Sequence, residues 1–145
     1  MSSIGQAIRN AVEVEQAAAR FYRRLIPSAA DDQARRFLEE MAEQELEHAK
    51  AIEELGAKIA AGALPTRADA NMDLVESAPG WTAVEGISLE QALGLALEAE
   101  NSAALYYDAI ADWLQGEPAT FFRQLSVNEE QHAQALRDQL ASLHK

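Results

Sequence analysis

Residues 44–52 read QELEHAKAI, and the period of the surrounding sequence puts Glu45 and His48 where a helix would carry leucines. Leu38, Met41, Glu45, His48, Ile52, Leu55 and Ile59 fall at alternating steps of three and four, the stripe that an amphipathic helix buries. Glu45 and His48 continue that stripe without a break. A carboxylate and an imidazole on a core stripe destabilise the fold unless something partners them, so the stretch calls for a chemical role as well as a structural one.

The rest of the chain narrows that role. At 145 residues it is expected to form one domain, 1–145, with a single substantial core. Hydrophobic residues make up 48% of it and there are only 4 prolines, which favours helix over sheet or disorder. It contains no cysteine, which excludes disulfides, thiolate metal sites and cysteine nucleophiles. The net charge of −12 argues against nucleic acid or an anionic membrane as partner. With no leader-like N-terminus and no apolar run long enough to span a bilayer, a soluble, cytoplasmic protein is expected.

Four helices account for nearly all the periodicity. Ser3 with Gln6 reads as a helix start, and the stripe Ile4, Ile8, Ala11, Glu15, Ala18, Tyr22, Leu25 runs to the stop at Pro27. Ser28 with Asp31 reads as the start of the helix that carries the opening stretch and ends near Gly62. A third helix follows Ser88 and Gln91 with the stripe Leu89, Leu93, Ala96, Glu100, Ala103, Tyr107, Ile110, Leu114 and stops at Gly116. Pro118 suits the first turn of a fourth, whose stripe is Phe122, Leu125, Glu129, His132, Leu136 and Leu143, with Gln139 and Leu140 in the turn between the last two. Short turns make each pair an antiparallel hairpin, 3–61 and 89–143. Residues 62–88, with Pro65 and Pro79, form one long crossover, within which DANMDLVESA is expected to form a short helix. The predicted architecture is an all-α four-helix bundle in which the third helix runs parallel to the second.

The two hairpins are copies of one another. EVEQAAARFY at 13–22 matches EAENSAALYY at 98–107, and ELEHAKAI at 45–52 matches EEQHAQAL at 129–136, with offsets of 85 and 84 residues. Repeated hairpins pack about a pseudo-two-fold axis, so whatever one half places at mid-bundle the other places opposite it. Each half supplies one Glu from its first helix and a Glu-x-x-His pair from its second, whose members project to the same side. Four buried carboxylates would cost several kcal/mol each if left unneutralised. Two divalent cations, or several protons, balance them. Imidazole with carboxylates and no thiolate suits iron or manganese, with zinc or cobalt as substitutes. The division assigns Glu15, Glu45 and His48 mainly to one ion and Glu100, Glu129 and His132 to the other. Glu45 and Glu129 are the natural bridges between ions roughly 3.5–4 Å apart.

This constellation, two Glu-x-x-His pairs with two lone core Glu residues each seven before a Tyr, resembles the ferritin-like di-iron carboxylate superfamily. Within it, the segment EQAAARFY is similar to the first helix of the rubrerythrin branch. The resemblance implies a ferritin-like four-helix bundle holding two iron ions, ferrous iron oxidised by hydrogen peroxide or dioxygen, and the six Glu and His residues acting through the metals. The chain departs from the family in two places. It lacks the cysteines of a rubredoxin-like domain, which implies a separate electron-donor protein. It also has Ala103 where rubrerythrins usually carry an extra Glu about one turn after the third-helix ligand. Three functions follow as expectations: a di-iron peroxidase, a ferroxidase or iron storage and delivery protein, and a metal-stabilised bundle without turnover. A homodimer is expected.

Tyr22 and Tyr107 sit two turns from Glu15 and Glu100 on the same stripes, within reach of a carboxylate on a neighbouring helix. Glu13 and Glu98 turn off the stripe and read as solvated or as partners of the ligands. Glu43, Glu47 and Glu130 read as surface charges, Trp81 and Trp113 as packing or interface residues, and His144 as part of a fraying tail.

Overall fold

A computed structural model describes residues 4–60 and 86–143. Among them are four long helices and no strand: α1 Ile4–Leu25, α2 Asp32–Ala60, α3 Leu89–Asp112 and α4 Glu117–Ser142. The predicted start at Ser3, the body of the 62–88 crossover including the short helix in DANMDLVESA, Trp81 and His144 lie outside the described residues.

Local chemistry explains the helix ends. Ser88 and Gln91 form a reciprocal capping box at the start of α3: Gln91 N–H donates to Ser88 Oγ at 3.1 Å, and Ser88 N–H donates to Gln91 Oε1 at 2.9 Å. Between α3 and α4, Gly116 adopts φ +67°, a left-handed value that is free of strain without a Cβ. Pro118 then stands in the first turn of α4, where its missing N–H is not needed. The start of α2 differs from the expected Ser28 cap. Ser28 belongs to a 3₁₀ turn, Ile26–Ser28, and Asp31 itself accepts the Ala34 N–H at 2.8 Å. Pro27 tightens the end of the first helix into that turn and displaces the cap by three residues.

Each hairpin packs along its whole length, α1 on α2 and α3 on α4, while α1 meets α3 and α2 meets α4 across the bundle. Two hydrophobic clusters fill the interior. One joins the first half of α1 (Ile8, Ala11), the end of α2 (Ile52, Leu55), the end of α3 (Tyr107, Ile110) and the start of α4 (Phe122, Leu125). The other joins the end of α1 (Ala18, Tyr22), the start of α2 (Leu38, Met41), the start of α3 (Leu93, Ala96) and Leu136 of α4. The ends of α2 and α3 therefore lie together, so these helices are parallel. The stripe of α4 drifts at its end: Gln139 is buried, whereas Leu143, just past the helix, is 38% exposed. Trp113 packs partly buried against the first cluster. No described helix is long and apolar enough to cross a membrane.

Candidate metal centre

Between the two hydrophobic clusters the core changes character. Glu15 and Glu100 are 0% exposed and Glu45 and Glu129 1%. Each comes from a different helix, and all sit near mid-helix because the heptad-like stripe keeps facing the axis there. His48 and His132 join them from α2 and α4.

The distances repeat about the pseudo-two-fold axis. His48 Nδ1 lies 3.0 Å from Glu129 Oε1, and His132 Nδ1 lies 3.0 Å from Glu45 Oε1, so each imidazole leans toward the carboxylate of the other hairpin. Within its own hairpin each is farther away: His48 is 3.4 Å from Glu45 and 3.6 Å from Glu15, and His132 is 3.8 Å from Glu129 and 3.5 Å from Glu100. The rings are nearly parallel, at 18°, with centroids 5.6 Å apart. The tyrosines cross over as well. Tyr22 Oη donates to Glu100 Oε1 at 2.8 Å, and Tyr107 Oη donates to Glu15 Oε1 at 3.0 Å. Each phenol is fully buried and orients a carboxylate of the opposite hairpin.

Protonation shows how strongly this core favours positive charge. Burial, reinforced by the nearby Glu45, pushes Glu15 up to about 8. Burial also raises Glu100, with Glu129 adding to it, and raises Glu129, with Glu45 adding to it. Burial alone would lower both histidines, but the surrounding carboxylates outweigh it, pushing His48 up to about 12 and raising His132 as well. The buried carboxylates and imidazoles thus hold protons tightly. The same burial, with Glu100 beside Tyr22 and Glu15 beside Tyr107, keeps both phenols neutral and able to donate.

A test of fit for metal comes from the orphaned atoms. Glu15 Oε2, Glu45 Oε1, Glu100 Oε2, Glu129 Oε2 and His132 Nδ1 are buried and have no hydrogen-bond partner. Glu45 Oε1 and His132 Nδ1 lie 3.0 Å apart as an ion pair without hydrogen-bond geometry, an arrangement in which both atoms can turn a lone pair toward a common ion. The potential ligand atoms fall into two groups, each within 4.8 Å: Glu15, Glu45, His48 and Glu129, and Glu45, Glu100, Glu129 and His132. Glu45 and Glu129 belong to both. Hard carboxylate oxygens with one imidazole per group suit a first-row divalent ion, so the residues fit a pair of such ions.

Access is from the imidazole side. An open pocket of about 510 Å³ between α2 and α4 reaches His48 and His132 past Met41, Gln44 and Asn128, and the His48 side chain is 17% exposed where the carboxylates are closed off. Glu13, Glu98, Glu43, Glu47 and Glu130 are all exposed.

One residue had no role in the sequence analysis. Gln44 Oε1 lies 2.6 Å from His132 Nε2. Its signal was present, since it stands four residues before His48 on the same helix face, but its target is the histidine of the other hairpin, which only the tertiary structure shows.

A family model described as Rubrerythrin matches residues 6–88 and 91–145. No curated protein matches the chain. Among solved structures, a candidate ferritin-like diiron-carboxylate protein from Thermotoga maritima superimposes with TM-score 0.78 at 18% identity, covering 96% of this chain and 95% of its own. A hypothetical protein from Pyrococcus furiosus superimposes with TM-score 0.75 at 20% identity, covering 96% of this chain and 89% of its own. At these identities the likeness concerns the fold.

Proposed function

The chain belongs to the rubrerythrin family, and from that premise we propose that it is a di-iron oxidoreductase reducing hydrogen peroxide, or dioxygen, at the expense of ferrous iron. The observation that carries this is the pair of four-residue groups sharing Glu45 and Glu129, with five buried polar atoms that have no hydrogen-bond partner. A bound pair of ferrous ions supplies two electrons and Lewis acidity toward an oxygen–oxygen bond.

The residues around it have separable tasks. Glu45 and Glu129 serve both positions and fix their separation. Glu15 with His48 completes one, and Glu100 with His132 the other. Tyr22 and Tyr107 each occupy one oxygen of a terminal carboxylate, which leaves the second oxygen turned inward. The two clusters above and below exclude water from the carboxylates, while the pocket beside the imidazoles admits a molecule the size of peroxide. Electrons come from a separate donor protein, since the chain has no cysteine to hold a redox iron of its own.

Stopped-flow mixing of the diferrous protein with peroxide and with oxygen tests the reaction. Faster oxidation by peroxide is expected; equal rates with the two oxidants, or no reaction with peroxide, would overturn the peroxidase assignment. A second reading, ferrous oxidation for iron storage or delivery, is favoured by Ala103. That position is 1% exposed and packs in the first cluster, so it offers no third-helix carboxylate like the one rubrerythrins usually carry. It requires aerobic uptake well beyond two irons per chain, and a plateau at two would eliminate it.

A further inference from the structure

The repeat breaks at one place that touches the site. Position 44, before Glu45, is Gln; its counterpart 128, before Glu129, is Asn. The extra methylene lets Gln44 reach across the bundle so that its Oε1 sits 2.6 Å from His132 Nε2. Asn128 is shorter, and its Oδ1 instead accepts from Gln124 on its own helix at 3.1 Å. Among the described residues no side chain engages His48 Nε2, and the ring borders the open pocket.

An imidazole that offers its Nδ1 lone pair to a cation must carry its proton on Nε2, and an acceptor at Nε2 holds it in that tautomer and orientation. Gln44 provides this acceptor for His132, and no described side chain provides it for His48. We propose that Gln44 is a positioning residue that makes the two metal positions unequal: the one completed by Glu100 and His132 binds its ion more tightly and fills first, and the one completed by Glu15 and His48 binds second and exchanges more readily. This rests on the di-metal reading above. It assigns the exchangeable position to the side where the pocket meets the more exposed imidazole, with side-chain exposures of 17% for His48 and 8% for His132.

Anaerobic titration of the metal-free full chain with Co²⁺, followed by calorimetry and by the visible spectrum, tests the proposal. The wild type is expected to take up two ions in two resolved steps. Gln44→Leu, which keeps volume at an exposed position but removes the acceptor, should weaken the tight step by about 10–100-fold, the usual range for an outer partner of a metal-bound histidine, and leave the weak step unchanged. Gln44→Glu should restore the tight step. Proton NMR of the Co²⁺ protein supplies a readout that general loosening would not move: one slowly exchanging, paramagnetically shifted imidazole N–H in the wild type and in Gln44→Glu, absent in Gln44→Leu. Two ions bound with wild-type constants in Gln44→Leu, or identical behaviour of the leucine and glutamate variants, would overturn the role of Gln44 and leave the di-metal reading standing. A wild type that binds no Co²⁺ would overturn both.

Discussion

The α1–α2 and α3–α4 hairpins carry the same Glu, His and Tyr residues at the centre of the bundle and different residues where they face water. Glu15 pairs with Glu100, Tyr22 with Tyr107, Glu45 with Glu129 and His48 with His132, and the distances around them agree to within 0.4 Å between the halves. On the outside the correspondence fails. Leu105, 74% exposed, stands where the first hairpin has Arg20, and Val127, 44% exposed, stands where it has Glu43. Exposed positions tolerate such exchanges at little cost, whereas the axis cannot lose one acidic or imidazole group without unbalancing the others. The charge chemistry of the centre therefore holds the repeat together, and packing alone would not demand it.

The sharpest way to break this symmetry is to distinguish shared from private ligands. Glu45→Ala or Glu129→Ala should abolish binding of both ions, because each serves both groups. Glu15→Ala or Glu100→Ala should leave one ion per chain. Elemental analysis after anaerobic loading and desalting separates these cases; equal losses from all four would refute the shared-ligand arrangement.

Metal removal should expose the protonation described above, with a definite sign. Glu15 sits near 8 in the folded chain against an ordinary 4.5, so its contribution to stability falls as pH rises from about 4.5 to about 8. His48, raised from 6.5 to about 12, contributes fully below 6.5 and progressively less above it. In both cases the folded state binds more protons than the unfolded chain. The metal-free protein should therefore lose stability in urea between pH 5 and 9, whereas the metal-loaded protein should not, and metal affinity should rise over the same window as protons cease to compete. A metal-free protein that gains stability with pH would contradict the buried-proton account.

The tyrosine pair offers a test of equality without metal. Tyr22→Phe and Tyr107→Phe each remove one buried hydrogen bond to a carboxylate and should each destabilise the metal-free protein by about 1–3 kcal/mol. Chemical denaturation should give the two variants the same cost; a large difference would mean that the two buried hydrogen bonds are not equivalent.

Two glycines probe the smaller asymmetries. A Cβ on Gly56 would stand 2.9 Å from Ile8 Cγ2, and the β-branched Ile8 cannot swing it aside freely. Gly56→Ala should cost about 1 kcal/mol, overpacking outweighing the helix-propensity gain. Nothing lies within 4 Å of the corresponding position on Gly94, so Gly94→Ala should stabilise α3 by about 0.5–1 kcal/mol. Thermal melts check both signs.

Much of this was legible in the residues, for identifiable reasons. The stripes through Glu15, Glu45, Glu100 and Glu129 placed those side chains in the core, since a 3.6-residue period leaves little freedom about which face is buried. The Ser88 and Gln91 box and Pro118 marked helix starts because their chemistry is local. The start of α2 was misplaced because Ser28 and Asp31 are both good caps, and the choice between them depends on the 3₁₀ turn around Pro27. Gln44 was passed over because its partner lies 88 residues away, on a helix whose distance and rotation no periodicity gives.

The central claim is that two metal positions share Glu45 and Glu129. Anaerobic titration of the metal-free protein with ferrous iron, counting equivalents bound per chain, tests it most directly. The account predicts a saturable endpoint at two; an endpoint at one, or no saturable binding, would mean that the four carboxylates and two imidazoles form a protonated polar core and not a metal centre.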